Sequence, residues 1–197
     1  MIAALILAGG TGTRLGGIDK AFIPLNGRSL IAYLLSRLSP QASTIAISAN
    51  GNPTRFDEFQ LPVLPDGPLY GKGPLAGIAA GLEWAVHQGA TSLITLPVDT
   101  PFIPPHLITR LTPAPAVAVY QGRQHHLVAH WNVSDLASLR HFLKTSPPHK
   151  VHDFLTLCAA RQVNFDPPED PFLNINTPED LAAATSRAAQ TASPTPP

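Results

Sequence analysis

The sequence predicts an α/β protein of three layers, a mixed, mainly parallel sheet with helices on both faces. Residues 2–8 form an unbroken apolar run that ends at Gly9-Gly10, the texture of a strand covered on both sides. Short apolar runs of the same kind return at 44–49, 62–64, 91–96 and 116–120, each closed by Asn, Asp, Pro or Gly. Between them, leucines and isoleucines recur at three- and four-residue spacing, so strands alternate with helices.

The run at 2–8 is the first strand. Leu30, Ile31, Leu34, Leu35 and Leu38 make the first helical stripe, and 44–49 and 62–64 are the next two strands. Leu75, Ile78, Leu82 and Val86 define a second helix that opens at Pro74 and stops at Gly89. After the strands at 91–96 and 116–120, Gln121-Gly122-Arg123 is a turn, so 126–131 returns antiparallel to its predecessor. Helices follow at 135–145 and 151–160, parted by Pro147-Pro148, and 162–165 is a last short strand. Thr177 is the N-cap of a final helix, with Pro178 in its first turn and Asp180 completing a capping box. Residues 191–197 are proline-rich with nothing to bury and read as a disordered tail, leaving 1–190 as one domain without repeats or a long linker.

Thirteen basic and thirteen acidic side chains cancel in 197 residues. Nucleic-acid binders carry a basic excess and peripheral membrane anchors carry basic clusters, so both classes are excluded as partners. Cys158 is the single cysteine, so no intrachain disulfide forms. No apolar segment reaches about 18 residues, and the first strand lacks the basic flank of a signal peptide. A cytoplasmic chain is expected.

The chemistry concentrates after the first strand. Glycines at 9, 10, 12, 16 and 17 let the backbone curl its N–H groups around an anion, with Arg14 and Lys20 alongside. Two better-known phosphate loops fail on spacing. The dinucleotide fingerprint needs glycine where Leu15 stands, and a Walker loop needs Ser or Thr where Ala21 follows Lys20.

The stretch Leu7-Ala8-Gly9-Gly10, Arg14-Leu15-Gly16-Gly17 and Asp19-Lys20 resembles the signature loop of the molybdenum cofactor guanylyltransferases. Leu64-Pro65-Asp66 with Gly73-Pro74-Leu75-Ala76-Gly77, Leu96 to Phe102, and Asn174 to Leu181 match the same family, so the resemblance spans residues 1 to about 185. It implies a Rossmann-like, glycosyltransferase-A-like nucleotidyltransferase fold. The activity it implies is transfer of GMP from GTP to the terminal phosphate of Mo-molybdopterin, with release of pyrophosphate.

The resemblance also implies roles. Arg14 and Lys20 would stabilise the leaving pyrophosphate, and Asp99 would hold Mg2+ at the carboxyl edge of the sheet, where open α/β sheets bind ligands. Asp99 would equally serve as a turn former or helix cap before Pro104-Pro105. Leu7, Ala8, Gly9, Gly10, Asn50, Asp66, Gly73 and Gly77 would contact GTP. Asn50 would offer base or ribose a donor and an acceptor, and the two glycines also suit tight helix–strand packing. Asn174 and Asn176 would face molybdopterin. Transient partners would be molybdopterin-delivering proteins and apo-molybdoenzyme chaperones, and the working state a monomer.

Lys144, Lys150 and Arg123 read as solvated charges beside the alternative of a pterin phosphate site. His125, His126 and His130 read as strand-surface residues or groups lining the pterin side. Cys158 sits in an apolar stretch without an activating cation and reads as buried packing. Sugar-nucleotide pyrophosphorylases share the loop from Gly9 to Leu15 but place their lysine further downstream. Molybdopterin cytidylyltransferases have Ala-Ala-Gly where this chain has Ala8-Gly9-Gly10. A non-catalytic nucleotide-binding adaptor would have no need of Arg14, Lys20 and Asp99 together.

Overall fold

The computed structural model describes residues 1–9, 11–12, 18–42, 44–145 and 148–192. Gly10, Arg14 and the 193–197 tail therefore lie outside the described residues.

The chain opens with strand β1 (Ile2–Leu7), then a short ribbon of β2 (Thr11–Gly12) and β3 (Ile18–Asp19) and another of β4 (Pro24–Leu25) and β5 (Arg28–Ser29). Helix α1 (Leu30–Leu38) leads to β6 (Ile45–Ser48) and β7 (Val63–Leu64), then α2 (Pro74–His87) and β8 (Ser92–Pro97). Helix α3 (Leu107–Leu111) precedes β9 (Ala116–Tyr120) and β10 (Arg123–Asn132). The chain continues with α4 (Leu136–Thr145), α5 (Val151–Leu157), β11 (Arg161–Phe165) and α6 (Pro178–Ala192).

Seven strands form one sheet in the order β11-β9-β10-β8-β1-β6-β7. β1 lies parallel to both β6 and β8, β7 to β6, and β11 to β9, while β10 runs antiparallel to its two neighbours. The sheet is thus mixed and mainly parallel, as the sequence predicts.

Alternation along β1 builds the three layers. Ala4, Ile6 and Ala8 pack with Leu34 of α1 and Leu107 of α3 on one face. Ala3, Leu5 and Leu7 pack with Ile78 of α2, Leu139 of α4 and Phe154 of α5 on the other. A continuous apolar strand is the consequence of covering both faces. α6 docks separately, with Ala184 and Ala188 against Leu25, Leu30 and Phe102.

Helix α2 approaches the sheet unusually closely. A Cβ at Gly77 would meet Ser48 Oγ at 2.4 Å, and one at Gly81 would meet Leu5 Cδ2 at 2.4 Å. The packing alternative for Gly77 is therefore real, and it coexists with the residue's position at the cleft wall. The capping box at α6 also forms: Thr177 Oγ1 accepts from Asp180 N at 3.1 Å, and Asp180 Oδ2 accepts from Thr177 N at 2.9 Å.

His130 corrects the expectation of a strand-surface residue. It is 1% exposed, with Nε2 2.8 Å from Ser92 Oγ and Nδ1 3.2 Å from the Leu111 carbonyl. A carbonyl can only accept, so Nδ1 carries the hydrogen and Nε2 accepts from the Ser92 hydroxyl. Burial is tolerated because both ring nitrogens are satisfied. The structure adds α3 to the predicted helices, a five-residue helix following the prolines at 104 and 105.

Among the described residues no helix is long and apolar enough to cross a membrane.

Candidate active site

The carboxyl ends of β1, β6 and β8 open onto one cleft of about 800 Å³, lined among others by Gly9, Lys20, Asn50, Asp66, Asp99 and Asn174. Parallel strands end here on the same edge, so residues distant in sequence converge.

One group assembles around Asp99. The chain leaves β8 through a turn fastened by Thr100, whose backbone N donates to the Pro97 carbonyl at 3.2 Å and whose hydroxyl donates to it at 2.9 Å. This turn directs the Asp99 carboxylate into the cleft, where its side chain is 12% exposed. Lys20 Nζ donates to Asp99 Oδ2 at 2.9 Å, and Asn174 Nδ2 donates to Asp99 Oδ1 at 3.2 Å. Lys20 also donates to Asn176 Oδ1. Lys20 begins a short turn whose N-cap, Asp19, accepts from Ala21 N at 3.1 Å.

The capping box of α6 secures the asparagines. Asp180 Oδ2 accepts from Asn176 N as well as Thr177 N, both at 2.9 Å, and the Ile175 N–H donates to the Asp99 carbonyl at 3.0 Å. The hydrogen bond from the Asn176 amide, joined by those from the Thr177 amide and hydroxyl and by the nearby Lys20 charge, outweighs the opposing effect of burial and holds the Asp180 carboxyl below the usual range. The helix cap thus supports the Lys20 site.

The second group sits across the cleft, past β6 and β7. Asn50 Nδ2 donates to Asp66 Oδ2 at 2.8 Å, and Asn50 Oδ1 accepts from Asp66 N at 3.0 Å. Both polar atoms of Asn50 are thus already engaged with Asp66. Each keeps capacity to spare, the second Nδ2 hydrogen and a second lone pair on Oδ1, and both residues line the cleft. Gly73 caps α2 at φ 68°, a left-handed conformation that L side chains rarely adopt. Tyr70 is 74% exposed at the cleft wall.

Arg55, which no sequence motif marks, also lines the cleft. It donates to the Asn50 carbonyl at 2.8 Å and the Asn52 carbonyl at 2.9 Å, and its Nε lies 3.0 Å from Asp19 Oδ2 as a charge contact. Its guanidinium lies over the Phe56 ring at 4.7 Å. Arg55 therefore ties the Asn50 turn to the residue that precedes Lys20.

Other candidates fall outside. Lys144 and Lys150 are exposed and do not line the cleft. Burial, then the charge of Asp135, pushes the Cys158 thiol up to about 12, consistent with packing and not with nucleophilic chemistry. His126 stacks on His152 with ring centroids 5.1 Å apart.

Among the described residues no cluster of three or more His, Cys, Asp or Glu side chains is arranged around a common metal position. A magnesium ion does not need one. It takes one or two carboxylates and completes its shell with phosphate oxygens and water. Asp99, a hard-oxygen donor already facing a cation, fits that requirement.

The fold and site agree with what the chain resembles. A family model described as the MobA-like NTP transferase domain matches residues 4–161. A molybdenum cofactor guanylyltransferase of Acidiphilium cryptum is 49% identical over 183 residues, 93% of each chain. One of Rhodobacter capsulatus is 47% identical over 193 residues, 97% of this chain and 98% of its own. Among solved structures, molybdopterin-guanine dinucleotide biosynthesis protein A from Archaeoglobus fulgidus superposes with a TM-score of 0.73 at 22% identity, covering 96% of this chain and 100% of that one. With that family model spanning most of the sheet and relatives near half identity along almost the whole length, this chain belongs to the MobA-like NTP transferase family, in the company of the molybdenum cofactor guanylyltransferases.

Proposed function

We propose that this chain transfers GMP from GTP to the terminal phosphate of Mo-molybdopterin, yielding the molybdopterin guanine dinucleotide cofactor and pyrophosphate. The observation that carries this reading is the convergence of Lys20, Asp99, Asn174 and Asn176 at one end of a cleft whose other wall bears the Asn50–Asp66 pair.

In the reaction an oxygen of the acceptor phosphate forms a bond to the α-phosphorus of GTP, and the bond from that phosphorus to the β-phosphate oxygen breaks. A phosphate monoester has its second pKa near 6, so at neutral pH the attacking group is mostly dianionic and needs no general base. The protein's task is alignment and neutralisation of charge on the departing pyrophosphate. Lys20 leaves Asp99 to meet the phosphates, and the turn beyond β1 at Gly9 brings backbone close to them, while Leu7 and Ala8, whose amide donates to the Ser48 carbonyl at 2.9 Å, line the cleft floor. Asp99 would hold Mg2+, which supplies further positive charge beside the α-phosphate when bound. Asp66 and Asn50 orient the nucleoside, and Asn174 and Asn176 receive the acceptor phosphate. Arg14 and Gly10 enter this reading from the sequence motif.

We read residues 1–190 as one nucleotidyltransferase domain acting as a cytoplasmic monomer. Passing contacts with molybdopterin-delivering proteins and apo-enzyme chaperones follow from a substrate and product that others make and use. The test is pyrophosphate release from purified protein with Mg2+ and Mo-molybdopterin across all four nucleoside triphosphates. GTP should be the preferred donor, and a preference for CTP or ATP would refute the base assignment.

A further inference from the structure

Past Asn174 the cleft continues into a notch of about 190 Å³ walled by Pro97, Thr100, Arg123, His125 and Leu127. β10 shapes it. Between His125 and Ala129 its register against β9 jumps from Ala118 to Val117, so 126–128 bulge out of the ladder. A bulge bends a strand and re-aims its side chains, a device common beside active sites.

His125 stands in that wall, 7% exposed, its ring 4.9 Å from Phe172, which meets Phe165 edge-on at 5.1 Å. Its Nε2 is buried without a hydrogen-bond partner. His130, on the same strand, has both nitrogens satisfied. An orphaned buried polar atom carries a stability cost, and the residue that bears it lines a space that shares Pro97, Leu127 and Asn174 with the main cleft. Burial, aided by the Arg123 and His126 charges, outweighs the attraction of Asp170 and keeps the imidazole neutral. A neutral imidazole has one donor and one acceptor nitrogen, which suits the N–H and ring-nitrogen edge of a heterocycle better than an anion.

Asn174 lines both the notch and the main cleft while bonded to Asp99. An acceptor whose phosphate sits at Asn174 would extend its body into the notch. We propose that His125 is a specificity residue for the acceptor, its Nε2 hydrogen-bonding to a fused-ring nitrogen heterocycle of the pterin class held in this notch. The inference rests on the transferase reading above for the identity of the acceptor.

His125→Phe retains the stack on Phe172 and removes the nitrogen. The KM for Mo-molybdopterin should rise about tenfold, with GTP affinity unchanged and Tm unchanged or higher. A purely structural role would instead lower Tm and disturb both substrates. A second measurement requires no variant: with ¹⁵N-labelled histidine, titration with a free pterin should shift the Nε2 resonance of His125 and leave that of His130 in place. If wild-type protein transfers GMP while His125→Phe leaves the acceptor KM unaltered and pterin leaves the imidazole unmoved, the inference is overturned and the transferase reading stands. If wild-type protein transfers no GMP yet pterin moves the His125 resonance, the transferase reading fails and the notch stands as a pterin site.

Discussion

Lys20 Nζ lies 2.9 Å from Asp99 Oδ2, so a cation and an acid of the cleft neutralise each other. Both side chains are mostly buried, 20% and 12% exposed, and neither charge would be stable there alone. On the proposed reading, magnesium-GTP would exchange this pair for two new ones, Lys20 with phosphate and Asp99 with the cation. Lys20→Ala and Asp99→Ala should each lower kcat for pyrophosphate release by about 100- to 1,000-fold, the scale of losing one electrostatic stabiliser of a transition state. The double variant should lose far less than the product of the two, because the partners act as a unit. Steady-state kinetics on the three variants check this.

Asn50 and Asp66 hold each other through two hydrogen bonds, 2.8 and 3.0 Å. Removing either side chain frees the other, so Asn50→Ala and Asp66→Ala should each raise the KM for GTP about tenfold with little change in kcat. The double variant should resemble either single one. A double-mutant cycle on GTP binding measures the coupling.

Gly77 tests the contact between α2 and the sheet. Its added Cβ would lie 2.4 Å from Ser48 Oγ, inside any real contact distance. Gly77→Ala should destabilise the protein by about 1–3 kcal/mol through overpacking. Ser48→Ala in the same chain removes the obstructing oxygen and should restore most of the loss, as thermal melts would show.

Much of the fold was legible because its causes are local. Strands buried on both faces are largely apolar, and that requirement wrote 2–8 and 116–120 into the sequence and all but the hydrogen-bonded Ser92 and Thr95 of the buried strand 92–96. The capping box at Thr177 and Asp180 was legible for the same reason, being complete within four residues. What was hidden depends on partners far along the chain. His130 is buried only because Ser92 and Leu111 satisfy it, and its own neighbours give no sign of them. Arg55 lies in a polar, surface-like 3₁₀ segment, and its role exists only once Asp19 and Asn50 arrive beside it. The motif resemblance names Lys20, Asp99, Asn174 and Asn176, which the structure brings together, but gives no sign of the interlocking of Asn50 with Asp66.

The histidines make stability depend on pH. Burial, the largest cause for each, holds His125, His126 and His130 below the ordinary imidazole value, so the native state resists protons that the unfolded chain accepts near pH 6.5. The unfolded state then binds more protons, and stability rises with pH through that window. Acidification from pH 7 towards 5 should therefore lower the denaturation midpoint. His130→Gln should flatten this dependence, as denaturant titrations at several pH values would show.

Transfer of the α-phosphate is the central claim, and isotopic position tests it most directly. GTP labelled at the α-phosphorus, incubated with the protein, Mg2+ and Mo-molybdopterin, should deliver its label to the pterin dinucleotide, while label at the γ-phosphorus should emerge as pyrophosphate. Label from the γ-position on the pterin, or α-label recovered only as free GMP, would contradict the account.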